Sequence, residues 1–327
     1  MKIVIALLHP FSLWNAPSWL GERLRSTFPN LTIDQLPDFQ RLSSAVTDAE
    51  ILLAWSIRPE QFVQAKRLRW IHSSAAAVHQ LMFPELVNSD VIVTNARQVH
   101  APVVAEHIIA SVFALAKKLP TAVRMQQRSQ WGQELLWETK PAIKEVAGST
   151  ACIIGMGSIG REFTLRARAL GMRVIAVREH PERGPSGADS VYGPAELKIA
   201  LAQSDFVILA APLTSSTRAI INAESLTYMR QDAYLINVGR GPLIDDASLI
   251  SALRDRRIAG AALDVFAEEP LTAHSPYWTL ENVLITPHTA AVTEKLWERH
   301  YALIADNLSR FLANQPLLGV VDKNKGY

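Results

Sequence analysis

The sequence predicts an α/β protein of two domains, each built on a parallel sheet with helices on both faces. Three observations predict it. Strand-length apolar runs alternate with helix-competent segments along the chain, one run opens into a glycine-patterned turn and a helix, and 327 residues exceed one ordinary core.

The first series of runs lies at 3–8, 31–36, 51–55, 69–72 and 91–95. The opening run is stopped by His9 and Pro10, too short to span a membrane and without a small-residue cleavage site, so it reads as a first strand. Ligands of open parallel sheets sit beyond the carboxyl ends of strands, which singles out two turns. One carries Trp55, Ser56 and Arg58. The other, HSSAAAVH at 72–79, has small side chains that leave main-chain amides such as those of Ala76 and Ala77 accessible, although a helix start competes for the alanines. The apolar stretch 102–119 suits a buried helix joining two domains and ending at Pro120. From there to Gly148, Trp131 and Trp137 stand among polar residues, which suits an exposed arm packing on something else, or an ordinary surface helix.

The stretch 150–163, TACIIGMGSIGREF, organises the second half. A buried-strand run at 151–154 opens into Gly155, Met156, Gly157, Ser158, Ile159 and Gly160, spaced G-x-G-x-x-G. A helix is expected over 158–170, with Gly171 stopping it in the left-handed conformation, then a strand at 173–177. In such a βαβ half Gly155 permits the tight turn, Gly157 lets a pyrophosphate approach the backbone, and Gly160 lets helix and strand pack closely, with free amides at the helix start facing the phosphates. This predicts a Rossmann-type dinucleotide site. Further runs at 206–210, 234–238, 259–265 and 283–286 end in Ala211, Pro212 and Thr214, in Gly-Arg-Gly after Val238, in Asp264, and in Pro287 and His288. Helical periodicity over 293–314 carries the chain back to the first domain.

Nearly half the residues are apolar, and a formal charge of +2 is spread without a long basic run, so neither nucleic acid nor a membrane surface is expected as a partner. The single Cys152 excludes an internal disulfide and reads as a small core side chain in a cytoplasmic chain; no metal site is expected.

Four side chains at strand ends make a chemical set. Arg240 has a planar fork suited to a carboxylate and an adjacent carbonyl. His288 can exchange a proton near neutral pH, and Glu269 can accept from that imidazole, favouring the protonated ring. Asp264 can hold a carboxamide or cap a turn. A dinucleotide, a cationic anchor and a histidine–carboxylate pair together specify hydride transfer at a carbonyl, which also needs a proton moved and an oxyanion stabilised.

NVGRGPLIDDASLISAL at 237–253, AGAALDVFAEEPL at 259–271, ITPHTA at 285–290 and GMGSIG resemble the signature blocks of the D-isomer-specific 2-hydroxyacid dehydrogenases. The resemblance covers most of 91–315, while the first ninety residues match only in pattern. It implies a Rossmann-type doubly wound cofactor domain, 99–289, inserted into a flavodoxin-like substrate domain, 1–98 with 290–327. It also implies Arg240 as substrate anchor, His288 as acid/base, Glu269 as its partner, Trp55, Ala76 and Ala77 at the substrate, and Thr217, Pro212 and Val238 near the cofactor. The family commonly has glycine at position 77, where this chain has alanine. A homodimer built on the cofactor domains, with the arm 124–140 reaching the neighbour, is implied as well.

At the end of the second strand of the cofactor domain, where NAD-preferring members have an acidic residue, this chain has Arg178, followed by Glu179, His180 and Arg183. An arginine accommodates the 2′-phosphate of NADP, so NADPH is the expected cofactor and NAD a weaker alternative; Glu179 is the competing ribose ligand. The expected function is reduction of small 2-oxoacids such as glyoxylate or hydroxypyruvate to D-2-hydroxyacids. The alternative is a non-enzymatic, nucleotide-sensing module like the corepressors of the same fold. A formate-type dehydrogenase is disfavoured by the glutamate beside the histidine, and the long form of phosphoglycerate dehydrogenase by the lack of a regulatory domain after residue 315.

Overall fold

The computed structural model describes residues 1–324 and 326. The chain forms two compact units, Met1–His100 with Thr293–Tyr327, and Ala101–Val292.

The first unit holds a five-stranded parallel sheet of β1 (Lys2–Ala6), β2 (Thr32–Gln35), β3 (Ile51–Ala54), β4 (Trp70–Ser73) and β5 (Ile92–Asn95), in the order β2-β1-β3-β4-β5. This is the flavodoxin-like order. β3 and β4 are buried along their whole length, which is why their sequences lack the polar alternation of a one-sided sheet. One face is packed by the helix Leu296–Leu312, whose Ile304, Leu308 and Phe311 recur at helical spacing against Ile3, Ile5 and Trp70. The alanine run after β4 is an irregular turn and not a helix start; the carbonyls of Ala75 and Ala76 accept from Ala96 N and from Asn95 Nδ2.

The second unit holds seven parallel strands: β6 (Thr150–Ile154), β7 (Arg173–Val177), β8 (Ser190–Tyr192), β9 (Phe206–Leu209), β10 (Tyr234–Asn237), β11 (Gly260–Leu263) and β12 (Val283–Ile285). Their order, β12-β11-β10-β9-β6-β7-β8, is the Rossmann arrangement, with its topological switch between β6 and β9. The helix Ser158–Ala169 lays Gly160, Phe163, Thr164 and Ala167 on the sheet, and burying Phe163 contributes about 2–3 kcal/mol. It ends as a Schellman motif: Gly171, at φ +76°, donates to Arg168 O while Met172 N–H reaches back to Ala167 O. β8 was not foreseen, since three residues at a sheet edge carry too little pattern. Cys152 is buried in β6, and burial pushes its thiol up to about 12, which leaves it inert.

The expected helix over 102–119 differs in both bounds, running Arg97–Ala116 with Pro102 inside it. Lys118 then turns left-handed at φ +53°, and Pro120 stands in the first turn of the next helix, Leu119–Gln127, where its missing N–H costs nothing. Arg97–Ala116 is also long and apolar enough to cross a membrane, but Val104, Ala105, Ile108 and Val112 lie in the core of the second unit. The following segment leaves Trp131 and Trp137 at 91% and 75% exposure.

Candidate active site

In the second unit the turns after β6, β9, β10, β11 and β12 carry the residues singled out by chemistry. Gly155 has φ +109°, and a side chain there would strike Ala211 N at 2.6 Å, so the glycine serves both the turn and the approach of the β9 turn across the switch point. A Cβ on Gly160 would lie 2.5 Å from Gly155 O, whereas one on Gly157 would meet nothing within 4 Å. The loop is therefore tight where it packs and open at the position a pyrophosphate would approach, which fits a dinucleotide. Met156 is buried and Ile159 packs on the core, so these two can offer a ligand main chain only. After β9, Thr217 Oγ1 donates to Pro212 O and accepts from Thr214 N–H, closing the turn that begins at Ala211.

Past β7, the Arg178 guanidinium donates from one nitrogen to Gly184 O at 3.1 Å and to Ser186 Oγ at 3.3 Å. His180 pairs with Glu182, and Arg183 and Glu179 are exposed.

The turn after β10 presents Arg240. Asn237, fully buried, donates to Arg240 O and accepts from Gly239 N–H, an Asx turn that fixes the loop just past Val238. A side chain on Gly241 would collide with Phe266 O at 2.1 Å, so only glycine lets the β11 turn press against the arginine. The guanidinium is half-buried and donates to Gly239 O. Burial lowers its pKa, and the neighbouring Glu269 carboxylate opposes that shift.

Glu269 accepts from Phe266 N–H on one oxygen, at 2.9 Å, and meets His288 Nδ1 with the other, at 2.6 Å. Burial would raise its pKa, but the bonds from His288 and Phe266, aided by the charges of His288 and Arg240, hold the carboxyl below its usual range. An ionised carboxylate only accepts, so His288 Nδ1 carries the proton toward it and Nε2 is the nitrogen left to work. His288 itself stands at φ +53°, and its ring is half-exposed. Glu268, one residue earlier, is exposed.

Asp264 is 2% exposed, and its carboxylate caps the turn after β12, accepting from Thr286 Oγ1 and from the amides of Thr289 and Ala290. The cap is therefore formed, and with three bonds made one acceptor direction remains. Asn237 and Thr286 escaped the sequence reading. An asparagine closing an apolar strand was the available signal for the first.

In the first unit, Trp55 and the alanine turn lie at the carboxyl ends of β3 and β4. Gln80 Nε2 donates to Trp55 O at 2.9 Å and to Ala77 O at 3.5 Å, tying the two turns together. Among the described residues none accepts from the half-buried Ala76 or Ala77 N–H. Alanine at 77 thus fits its turn without a positive φ.

Residues 109–290 match the family described as D-isomer specific 2-hydroxyacid dehydrogenase, NAD binding domain. The chain is 34% identical to a glyoxylate reductase of Pyrococcus furiosus over 83% of its own length and 82% of the relative's. Among solved structures it is similar to a D-isomer specific 2-hydroxyacid dehydrogenase family protein of Aeromonas salmonicida (TM-score 0.83, 28% identity, 98% and 99% of the two chains). It is also similar to the NADPH-dependent glyoxylate/hydroxypyruvate reductase of Sinorhizobium meliloti, solved with NADP and sulfate (TM-score 0.82, 25% identity, 100% and 99%).

Proposed function

The chain belongs to the D-isomer specific 2-hydroxyacid dehydrogenases, and on that footing we propose that it is a cytoplasmic, NADPH-dependent reductase of small 2-oxoacids such as glyoxylate and hydroxypyruvate. The observation that carries this reading is the His288–Glu269 pair at 2.6 Å beside Arg240, on a Rossmann sheet whose phosphate loop is open at Gly157. The bound nicotinamide nucleotide supplies the hydride. Gly155 to Gly160 and the helix start receive its pyrophosphate, with the turn of Ala211, Pro212 and Thr217, Val238 and the spare acceptor of Asp264 at its other groups. Arg240 holds the oxoacid carboxylate and the carbonyl oxygen with its two-pronged fork, drawing charge toward the oxygen as it develops. Trp55 and the amides of Ala76 and Ala77, in the first unit, are proposed for the substrate on the family resemblance alone. His288 gives a proton from Nε2 to that oxygen, and the ionised Glu269, accepting from Nδ1, fixes the ring's orientation. An intact set of Arg240, Glu269 and His288 does not by itself exclude a nucleotide-sensing module, but relatives named glyoxylate reductase and glycerate dehydrogenase do not favour that alternative.

Cofactor choice rests on Arg178, with His180 and Arg183 beside it. The guanidinium already spends one nitrogen on the 184–186 loop, and its remaining N–H groups are proposed to read a 2′-phosphate, contributing ~1.5–3 kcal/mol, or roughly a tenfold to hundredfold preference for NADPH over NADH. Arg178→Asp should remove that attraction, repel the phosphate and offer a carboxylate to free ribose hydroxyls, moving preference toward NADH. Catalytic efficiencies of both proteins with both cofactors, across a panel of 2-oxoacids at one low salt concentration, check this. An unaltered ratio in the variant would show that Arg178 does not read the phosphate and would leave Glu179 as the ribose ligand.

The exposed Trp131 and Trp137, with Leu119, Val123, Leu135 and Ile143 also exposed on the same segment, support a homodimer in which this arm covers a second copy. Light scattering at assay concentrations should give twice the chain mass; a monomer would refute it.

A further inference from the structure

The helix Arg97–Ala116 contributes a side chain that the hydride-transfer chemistry does not use. His107 Nε2 lies 3.3 Å from Thr286 Oγ1 and 3.8 Å from Asp264 Oδ1, with its side chain 21% exposed. Thr286 has one hydroxyl proton and donates it to Asp264 Oδ1 at 2.6 Å, so toward His107 its oxygen can only accept. His107 therefore carries its proton on Nε2, and a directed chain runs from His107 through Thr286 to Asp264.

That chain ends on the turn that carries His288. Asp264 Oδ1 and Oδ2 take the amides of Thr289 and Ala290, and Asp264 O takes His288 N–H at 2.9 Å. His288 is thus flanked on both sides by groups anchored to one residue, while its own backbone sits at φ +53°, a conformation that a residue with a side chain holds only when its surroundings impose it. Glu269 orients the ring, and the Asp264 cap orients the main chain from which the ring projects. We infer that His107 is a positioning residue for His288, acting through Thr286 and Asp264 to keep the left-handed turn, and hence Nε2, in register with the substrate oxygen.

This inference rests on the reading of His288 as the proton donor, so the test runs both in parallel. His107→Leu removes the donated hydrogen bond and should lower kcat for 2-oxoacid reduction about five- to tenfold, the worth of one such bond, with the Michaelis constant of the oxoacid and the dissociation constant of NADPH within about twofold of wild type. His107→Gln, which keeps an N–H at the same reach, should restore kcat to near wild type. An unchanged kcat in His107→Leu, or a His107→Gln as slow as the leucine variant at equal melting temperature, would overturn the inference, the latter by showing that ring packing is what matters. A His288→Asn protein with normal turnover would instead sink the underlying assignment, and the two failures are distinguishable because only in the second does His288→Asn turn over normally.

Discussion

Replacing His288 by asparagine should lower turnover in 2-oxoacid reduction by about two to four orders of magnitude, while the affinity for NADPH changes little. Asparagine suits the experiment because it tolerates the left-handed backbone that position 288 adopts at φ +53°, so the turn capped by Asp264 should survive the change. What is lost is the Nε2 proton. Glu269→Gln should cost less, and its signature is in the pH dependence. The Glu269 carboxyl is held below its usual range, so it is ionised across the neutral region, and its charge-assisted bond to His288 Nδ1 is lost only as pH falls through that lowered range. An amide has no such group to protonate, so the acid limb that Glu269 gives to wild-type turnover should be absent from the glutamine variant. Turnover profiles against pH for the three proteins check both points, and near-normal turnover in His288→Asn would remove the residue from the chemistry.

The first unit should lose stability steeply in mild acid. His72, in β4, and His300, in the helix Leu296–Leu312, are both fully buried. Among the described residues His72 hydrogen-bonds only to the Thr94 hydroxyl and meets the edge of the Trp70 ring, and His300 packs against the rings of His100 and Trp297. No described carboxylate pairs with either ring. Burial lowers the His72 pKa to about 4, and burial followed by the nearby His100 and His72 lowers that of His300 well below its ordinary value. The folded rings stay neutral, so their contribution is fully present above the unfolded value near 6.5 and is lost as pH falls from there toward the folded values, because the unfolded chain takes up protons that the folded one refuses. His72 alone then removes about 3 kcal/mol between ~6.5 and ~4, and the two rings together give a slope of up to ~2.7 kcal/mol per pH unit. Urea unfolding followed by tryptophan fluorescence at several pH values should show this slope, and His300→Leu should roughly halve it. Equal slopes in the two proteins would mean that the ring of His300 is not kept neutral by the fold.

The site was legible in the sequence where its parts are contiguous. The glycine loop from Gly155 to Gly160 and the segments carrying Arg240, Glu269 and His288 each announce a turn and a chemical group within a few residues, and the apolar strands before them read directly as buried parallel sheet. The supports were not legible, because they are long-range. His107 meets Thr286 across 179 positions, and Asp264 reaches 22 to 26 residues ahead to its hydroxyl and amide donors, separations at which no local pattern survives. Helix bounds failed for a different reason. Pro102 suggests a beginning although the helix runs through it, and Lys118, whose type favours helix, takes the left-handed turn while its ammonium donates to the carbonyls of Leu136 and Thr139. His72 and His300 read as polar positions in otherwise apolar elements, with nothing nearby in sequence to say that both would be enclosed.

The most direct test of the central claim is the product formed when the wild-type protein, NADPH and glyoxylate or hydroxypyruvate are mixed. One 2-hydroxyacid should form per NADPH oxidised, the D-enantiomer from hydroxypyruvate, with His288→Asn forming it about two to four orders of magnitude more slowly. Tight NADPH binding with no oxidation across the whole 2-oxoacid panel would contradict it and leave a nucleotide-binding module in place of an enzyme.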